Sequence, residues 1–110
     1  MDKVVSSRAA VRRVLEAYAT PAQQGDVETE VIAGEAGDHY LLVYVGWRGN
    51  QRVRGCTMHL DIKGGKVWIQ HDGTERGLAS ELMEQGVPRG DIVLGFRAPA
   101  RRKYTEFAES

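Results

Sequence analysis

The residues of this chain able to do chemistry are few: His39, His59, His71, Cys56 and scattered carboxylates. His59 and Asp61 stand two apart, which on a strand puts them on one face, where they are a pair of metal ligands or an acid/base couple. A metal centre needs three or four converging ligands. Only these two can be placed together from the sequence, Asp72 being a diagonal neighbour of His59 and His71 pointing to the other face. The pair reads as a structural hydrogen bond, with no metal, no cofactor and no catalytic residue expected. Cys56 sits opposite Val43 on an apolar face and reads as a small buried hydrophobe, since a nucleophilic thiolate needs exposure and an activating base. Gly46 to Gly49 and Gly64-Gly65 lack the spacing of dinucleotide or phosphate loops and join strands rather than a strand to a helix.

These positions must be held by elements that can be read from periodicity. Over 4–19, the apolar residues Val4, Val11, Val14, Leu15 and Tyr18 draw one stripe of a helix, which Pro21 stops. A polar loop over 22–26 leads to Val27, Thr29 and Val31, alternating with Glu28 and Glu30 as in an edge strand. A turn over 34–38 follows. Strands are expected over 39–47, 51–63 and 66–71, joined by turns at Gly49-Asn50 and Gly64-Gly65. With these two-residue turns as the loops, Val43 faces Cys56, Leu41 faces Met58, Leu60 faces Ile69 and Ile62 faces Val67. Nine apolar side chains then share one face: Leu41, Val43, Val45, Cys56, Met58, Leu60, Ile62, Val67 and Ile69.

The other face would carry Tyr40, Leu42, Tyr44, Thr57, His59, Asp61, Trp68 and Gln70, a mixed aromatic and polar surface. Such a surface suits either a partner or the chain's own C-terminal segment. Trp47 and Arg52 face each other across the first hairpin, a guanidinium on an indole, as local support. Thr74 is placed to cap a helix over 75–85 whose apolar side is Leu78, Ala79, Leu82 and Met83. Gly86, Val87 and Pro88 end it. A last strand is expected over 91–96. The fold class is α+β: an N-terminal helix, an antiparallel meander of four to five strands, and a second helix packed on the sheet, as one domain over 1–110.

Composition bounds the function. Fifteen basic and fifteen acidic residues cancel, whereas dedicated nucleic-acid binders usually carry a basic excess. The local exception is Arg97, Arg101, Arg102 and Lys103, which read first as a solvated tail shared with Glu106 and Glu109. No run approaches the ~18 apolar residues of a membrane span. The N-terminus lacks a signal-peptide core, and a single cysteine fits a reducing compartment, so a cytoplasmic protein is expected.

The stretch YLLVYVGWRGNQRVRG (40–55) continues through CTMHLDIKGGKVWIQHDGTE (56–75), LMEQGVPRGDIVLGF (82–96) and RRKYTEFA (101–108). In that order these segments resemble the XisI proteins, densely over 38–108 and by pattern alone in the opening helix, while 22–37 looks individual. The resemblance implies a controlling factor for excision of the fdxN element, a DNA segment removed by site-specific recombination. It implies a nuclease-like accessory partner, XisH, and a recombinase complex, and it brings no catalytic residues. The expectation is therefore a regulatory, non-enzymatic protein that binds another protein, with direct DNA contact by the basic segment as the alternative and a homodimer as a further possibility. The partner-binding candidates are Tyr40, Tyr44, Trp47, Arg52, Trp68, Tyr104 and Phe107.

Overall fold

The computed structural model describes residues 2–19, 26–34 and 36–110. Helix α1 (Lys3–Tyr18) opens on Asp2, whose carboxylate accepts the Val4 amide at 2.8 Å. Its apolar stripe buries Ala10, Val11, Val14 and Leu15. The loop expected over 22–26, with Pro21, falls mostly outside the described residues. Five strands follow: β1 (Asp26–Gly34), β2 (His39–Arg48), β3 (Gln51–Lys63), β4 (Lys66–Asp72) and β5 (Ile92–Leu94), in that spatial order in one sheet. The first three pairings are antiparallel. β5 instead runs parallel to β4, because the chain first crosses over through helix α2 (Leu78–Glu84). The architecture is α+β as expected, with a mixed rather than purely antiparallel sheet.

Both hairpin turns stand where the glycines place them. Gly64 and Gly65 have φ of 61° and 76°, which only glycine adopts without strain. The start of α2 differs from expectation. The helix begins at Leu78, and Thr74 lies in the loop before it. Asp72 does the capping: one carboxylate oxygen accepts the Thr74 amide and hydroxyl at 2.9 and 2.6 Å, and the other accepts the Leu78 amide at 2.8 Å. Thr74 contributes by accepting the Gly77 amide. Gly86 (φ 97°) ends the helix, and the Val87 amide returns to Leu82.

The uninterrupted register fails in a specific way. Val43 pairs with Cys56, but Leu42 pairs with Met58, so Thr57 is an extra residue in β3. Leu60 pairs with Ile69, but His59 pairs with His71, so Gln70 is an extra residue in β4. These are β-bulges, and each reverses the side-chain parity of its strand. The nine apolar residues therefore do not share a face. Met58, Leu60, Ile62, Val67 and Ile69 point inward beneath α1 and α2, joined there by Tyr40 and Leu42. Leu41, Val43, Val45 and Cys56 lie on the outer side, half-buried. Arg8 clamps the β1–β2 turn to α1 by a two-pronged contact with Asp38, at 2.8 and 3.1 Å, and the Tyr40 hydroxyl donates to the same carboxylate.

Candidate functional site

The outer face of the sheet is the surface on which the polar and aromatic residues collect. Register divides it into two ends. At the hairpin end, β2 offers Leu41, Val43, Val45 and Trp47; β1 lies beside it with Glu28, Glu30 and Ile32, and β3 with Arg52, Arg54 and Cys56. Glu30, Ile32, Leu41, Val43, Val45 and Arg54 line a shallow groove there. An apolar central strand thus runs between an acidic stripe and a basic one. Trp47 is 47% exposed, and the Arg52 guanidinium lies 5.1 Å from its ring centre, as the hairpin geometry predicts. Cys56 belongs to this groove, not to the core, and its thiol donates to the Met58 carbonyl at 3.0 Å.

At the opposite end, the Thr57 bulge brings His39 opposite Asp61 instead of opposite Leu60. The His39 Nδ1 lies 2.7 Å and the His59 Nε2 3.1 Å from the same oxygen, Asp61 Oδ1. Gln70 donates to the other oxygen, Oδ2, at 3.1 Å. The hydrogen bond read from His59-x-Asp61 is therefore present, with His39 as a third member that sequence spacing did not reveal. Burial pulls the Asp61 carboxyl upward, but bonds from His39 and Gln70, with the field of His59, outweigh it and hold the carboxyl below its usual range. His71, paired with His59, lies on this outer face and not on the inner one.

Beside this cluster two cations lie against the Trp68 ring, the Lys63 amine 4.0 Å and the Arg102 guanidinium 5.1 Å from its centre. Arg102 is held by the carbonyls of Arg97 and Gly95, so helix α3 (Pro99–Arg102) covers this end of the face. Of the two coverings weighed from sequence, the structure shows the C-terminal segment at the Trp68 end, while the groove along β2 is open to solvent.

The remaining candidates scatter. Tyr40 is completely buried in the core and has no surface to offer a partner. The expectation failed there because the Thr57 bulge in the neighbouring β3 puts Tyr40 and Leu42 on the same face as Met58 and Leu60. Tyr44 is on the inner side, its ring over Gly55, where a Cβ would stand 2.3 Å from the hydroxyl. Phe107 packs against the core. Tyr104 is 79% exposed. The basic segment is more interleaved with aromatics than its sequence suggests: Arg97 lies over Phe96, Lys103 near Tyr104 and Arg102 over Trp68.

A family model for the XisI protein matches residues 1–109. The chain belongs to the XisI family. Among solved structures it is similar to a XisI-like protein from Anabaena variabilis, 42% identical, with a TM-score of 0.89, covering 96% of this chain and 97% of that one. It is also similar to the fdxN element excision controlling factor XisI of the same organism, 33% identical, with a TM-score of 0.83, covering 99% of this chain and all of that one. No curated protein matches. None of the described helices is long and apolar enough to cross a membrane.

Proposed function

We propose that this XisI-family chain is an accessory, controlling factor in site-specific DNA excision that acts by binding another protein, a XisH-like partner, and is not itself an enzyme. The observation that carries the reading is the open groove along β2. Leu41, Val43 and Val45 are only half-buried, and their flanks carry charges of opposite sign on β1 and β3. An apolar strip with a charged rim is the usual anatomy of a protein interface: the strip supplies the area, and the rim fixes orientation. The adjacent Trp47–Arg52 stack adds two residue types enriched among interface hot spots. Co-expression with a XisH-like protein tests this. The wild-type chain co-purifies with it, and Val43→Lys, which sets a charge in the groove while sparing the inner core, abolishes the association. Reproducible failure of the wild-type chain to associate overturns the proposal.

A second reading is favoured by the aromatic–cation pairs at Phe96/Arg97, Trp68/Arg102 and Tyr104/Lys103. Such pairs suit a single-stranded or distorted nucleic acid, with Arg101 as an additional phosphate contact. Binding of this kind falls steeply with salt. A gel-shift series with no complex at either low or moderate salt removes it.

A further inference from the structure

We propose that His39, His59 and Asp61 form a binding site for a divalent first-row transition metal of the zinc–nickel class. The three ligand atoms lie within 4.8 Å of one another, on adjacent antiparallel strands of one rigid sheet. Two ligands that each sit ~2.1 Å from a metal at the tetrahedral angle are about 3.4 Å apart. The observed separations from Asp61 Oδ1 are 2.7 Å to His39 Nδ1 and 3.1 Å to His59 Nε2, so an opening of about 0.7 Å or less sets each histidine as a neighbouring ligand to the carboxylate.

The chemistry at that oxygen also favours a cation. Two ring nitrogens are directed at one carboxylate oxygen; N–H protons fill these short gaps, and a metal replaces them from a position beside all three atoms. Changing tautomer turns both nitrogens into lone-pair donors, and small rotations of the two rings turn those lone pairs from the oxygen to a common point beside it. Two imidazoles with one carboxylate are a donor set for zinc, nickel, cobalt or iron(II) rather than for calcium or magnesium. Gln70 holds the second carboxylate oxygen at 3.1 Å, as outer partners of metal ligands commonly do. The Asp61 side chain is 13% exposed, whereas those of His59 and His39 are 36% and 60% exposed, so the site is anchored below and open to solvent or a further ligand above. The Thr57 bulge assembles the cluster by bringing His39 opposite Asp61, and the Gln70 bulge supplies the outer partner. Bulges recur beside functional sites because they re-aim side chains.

The test uses tag-free protein, stripped with chelator and titrated calorimetrically with Zn²⁺ and with Ni²⁺. One ion binds per chain. His39→Asn, a change on a largely exposed ring that spares the fold, weakens uptake by more than the roughly tenfold that loss of an outer-shell partner costs. His71→Asn, which removes a cross-strand neighbour of His59 outside the three-ligand group, leaves binding unchanged. With Co²⁺, the wild-type chain shows visible d–d absorption that His39→Asn loses. A wild-type chain without stoichiometric uptake overturns the site and leaves hydrogen bonding as the cluster's whole role. So does undiminished binding by His39→Asn. No partner protein is needed, so this outcome is independent of association with a XisH-like protein.

Discussion

The inner and outer faces of the sheet are made by the same strands, yet they are built to different rules. Inward, Tyr40, Leu42, Met58, Leu60, Val67 and Ile69 are almost wholly excluded from solvent by α1 and α2. Outward, apolar residues stop at half burial, charges flank them in rows, and a histidine–carboxylate cluster closes one end. The inner face is optimised for stability, where volume and apolarity suffice. The outer face keeps apolar surface half-covered and polar groups clustered, the surface on which the proposed binding rests. The two faces stay distinct only because both bulges hold each strand in a parity that simple hairpins would not give.

Removing a bulge is the most severe way to break that distinction. Deletion of Thr57 leaves β3 able to satisfy only one end at a time: either Met58 and Leu60 turn outward or Cys56 and Arg54 turn inward. Because the bulge also provides the carbonyl that accepts the Gly73 amide at 2.8 Å, a further loop contact goes with it. The expected outcome is loss of cooperative unfolding altogether, an effect beyond any single core truncation. Chemical denaturation followed by circular dichroism and tryptophan emission checks it. A deleted chain that melts sharply, near the wild-type midpoint, contradicts the role given to the bulge.

Next in size is a matched pair of truncations. Leu60→Ala empties fully buried volume on the inner face and is expected to cost about 2–5 kcal/mol. Val43→Ala, on the open groove of the outer face, is expected to cost about 1 kcal/mol or less, as for sites outside a closed core. Urea unfolding midpoints compare them directly. Equal losses would show that the outer face is a second core and not a docking surface.

Much of the inner architecture is legible in the sequence, and the reason is local. The glycine pairs dictate their turns through positive φ, the helical stripe of Val11, Val14 and Leu15 is periodic, and the Gly86-Val87-Pro88 stop is short-range. Strand parity is not local. Gly55, two residues before Thr57, is the one local break in the β propensity of that segment and a signal for a bulge, but it does not say which residue is extra or which way the strand turns. One unseen extra residue then reverses the assignment of Leu41, Val43, Cys56, Tyr40 and Leu42 together. The same residue hides the site. His59-x-Asp61 shows in the sequence because the two lie on one strand, whereas His39 joins them only through a register that the bulge shifts by one. The Asp72 cap was missed for a related reason, since Thr74 offers the stronger sequence signal for starting a helix.

The smallest expected effect concerns how the covering layer is pinned to the sheet's first turn. The hydrogen bonds from Arg8 lower the Asp38 carboxyl below its ordinary value; partial burial opposes this and the Tyr40 hydroxyl assists it. A carboxyl depressed in the folded state stabilises the fold above its unfolded pKa of about 3.9, and that contribution drains away as pH falls through the lower, folded value. Arg8 is well exposed, so solvent screens the pair and the change is modest. Asp38→Asn also tolerates the positive φ of 51° at this position, so it removes the charge without straining the turn. The variant is expected to lose a little stability at neutral pH and to show a shallower decline of stability as pH falls below about 4. Unfolding midpoints measured across that acid range read the difference. If the two curves run parallel, the Arg8 clamp contributes packing between α1 and the β1–β2 turn but no charge coupling, and the inner face is held by apolar burial alone.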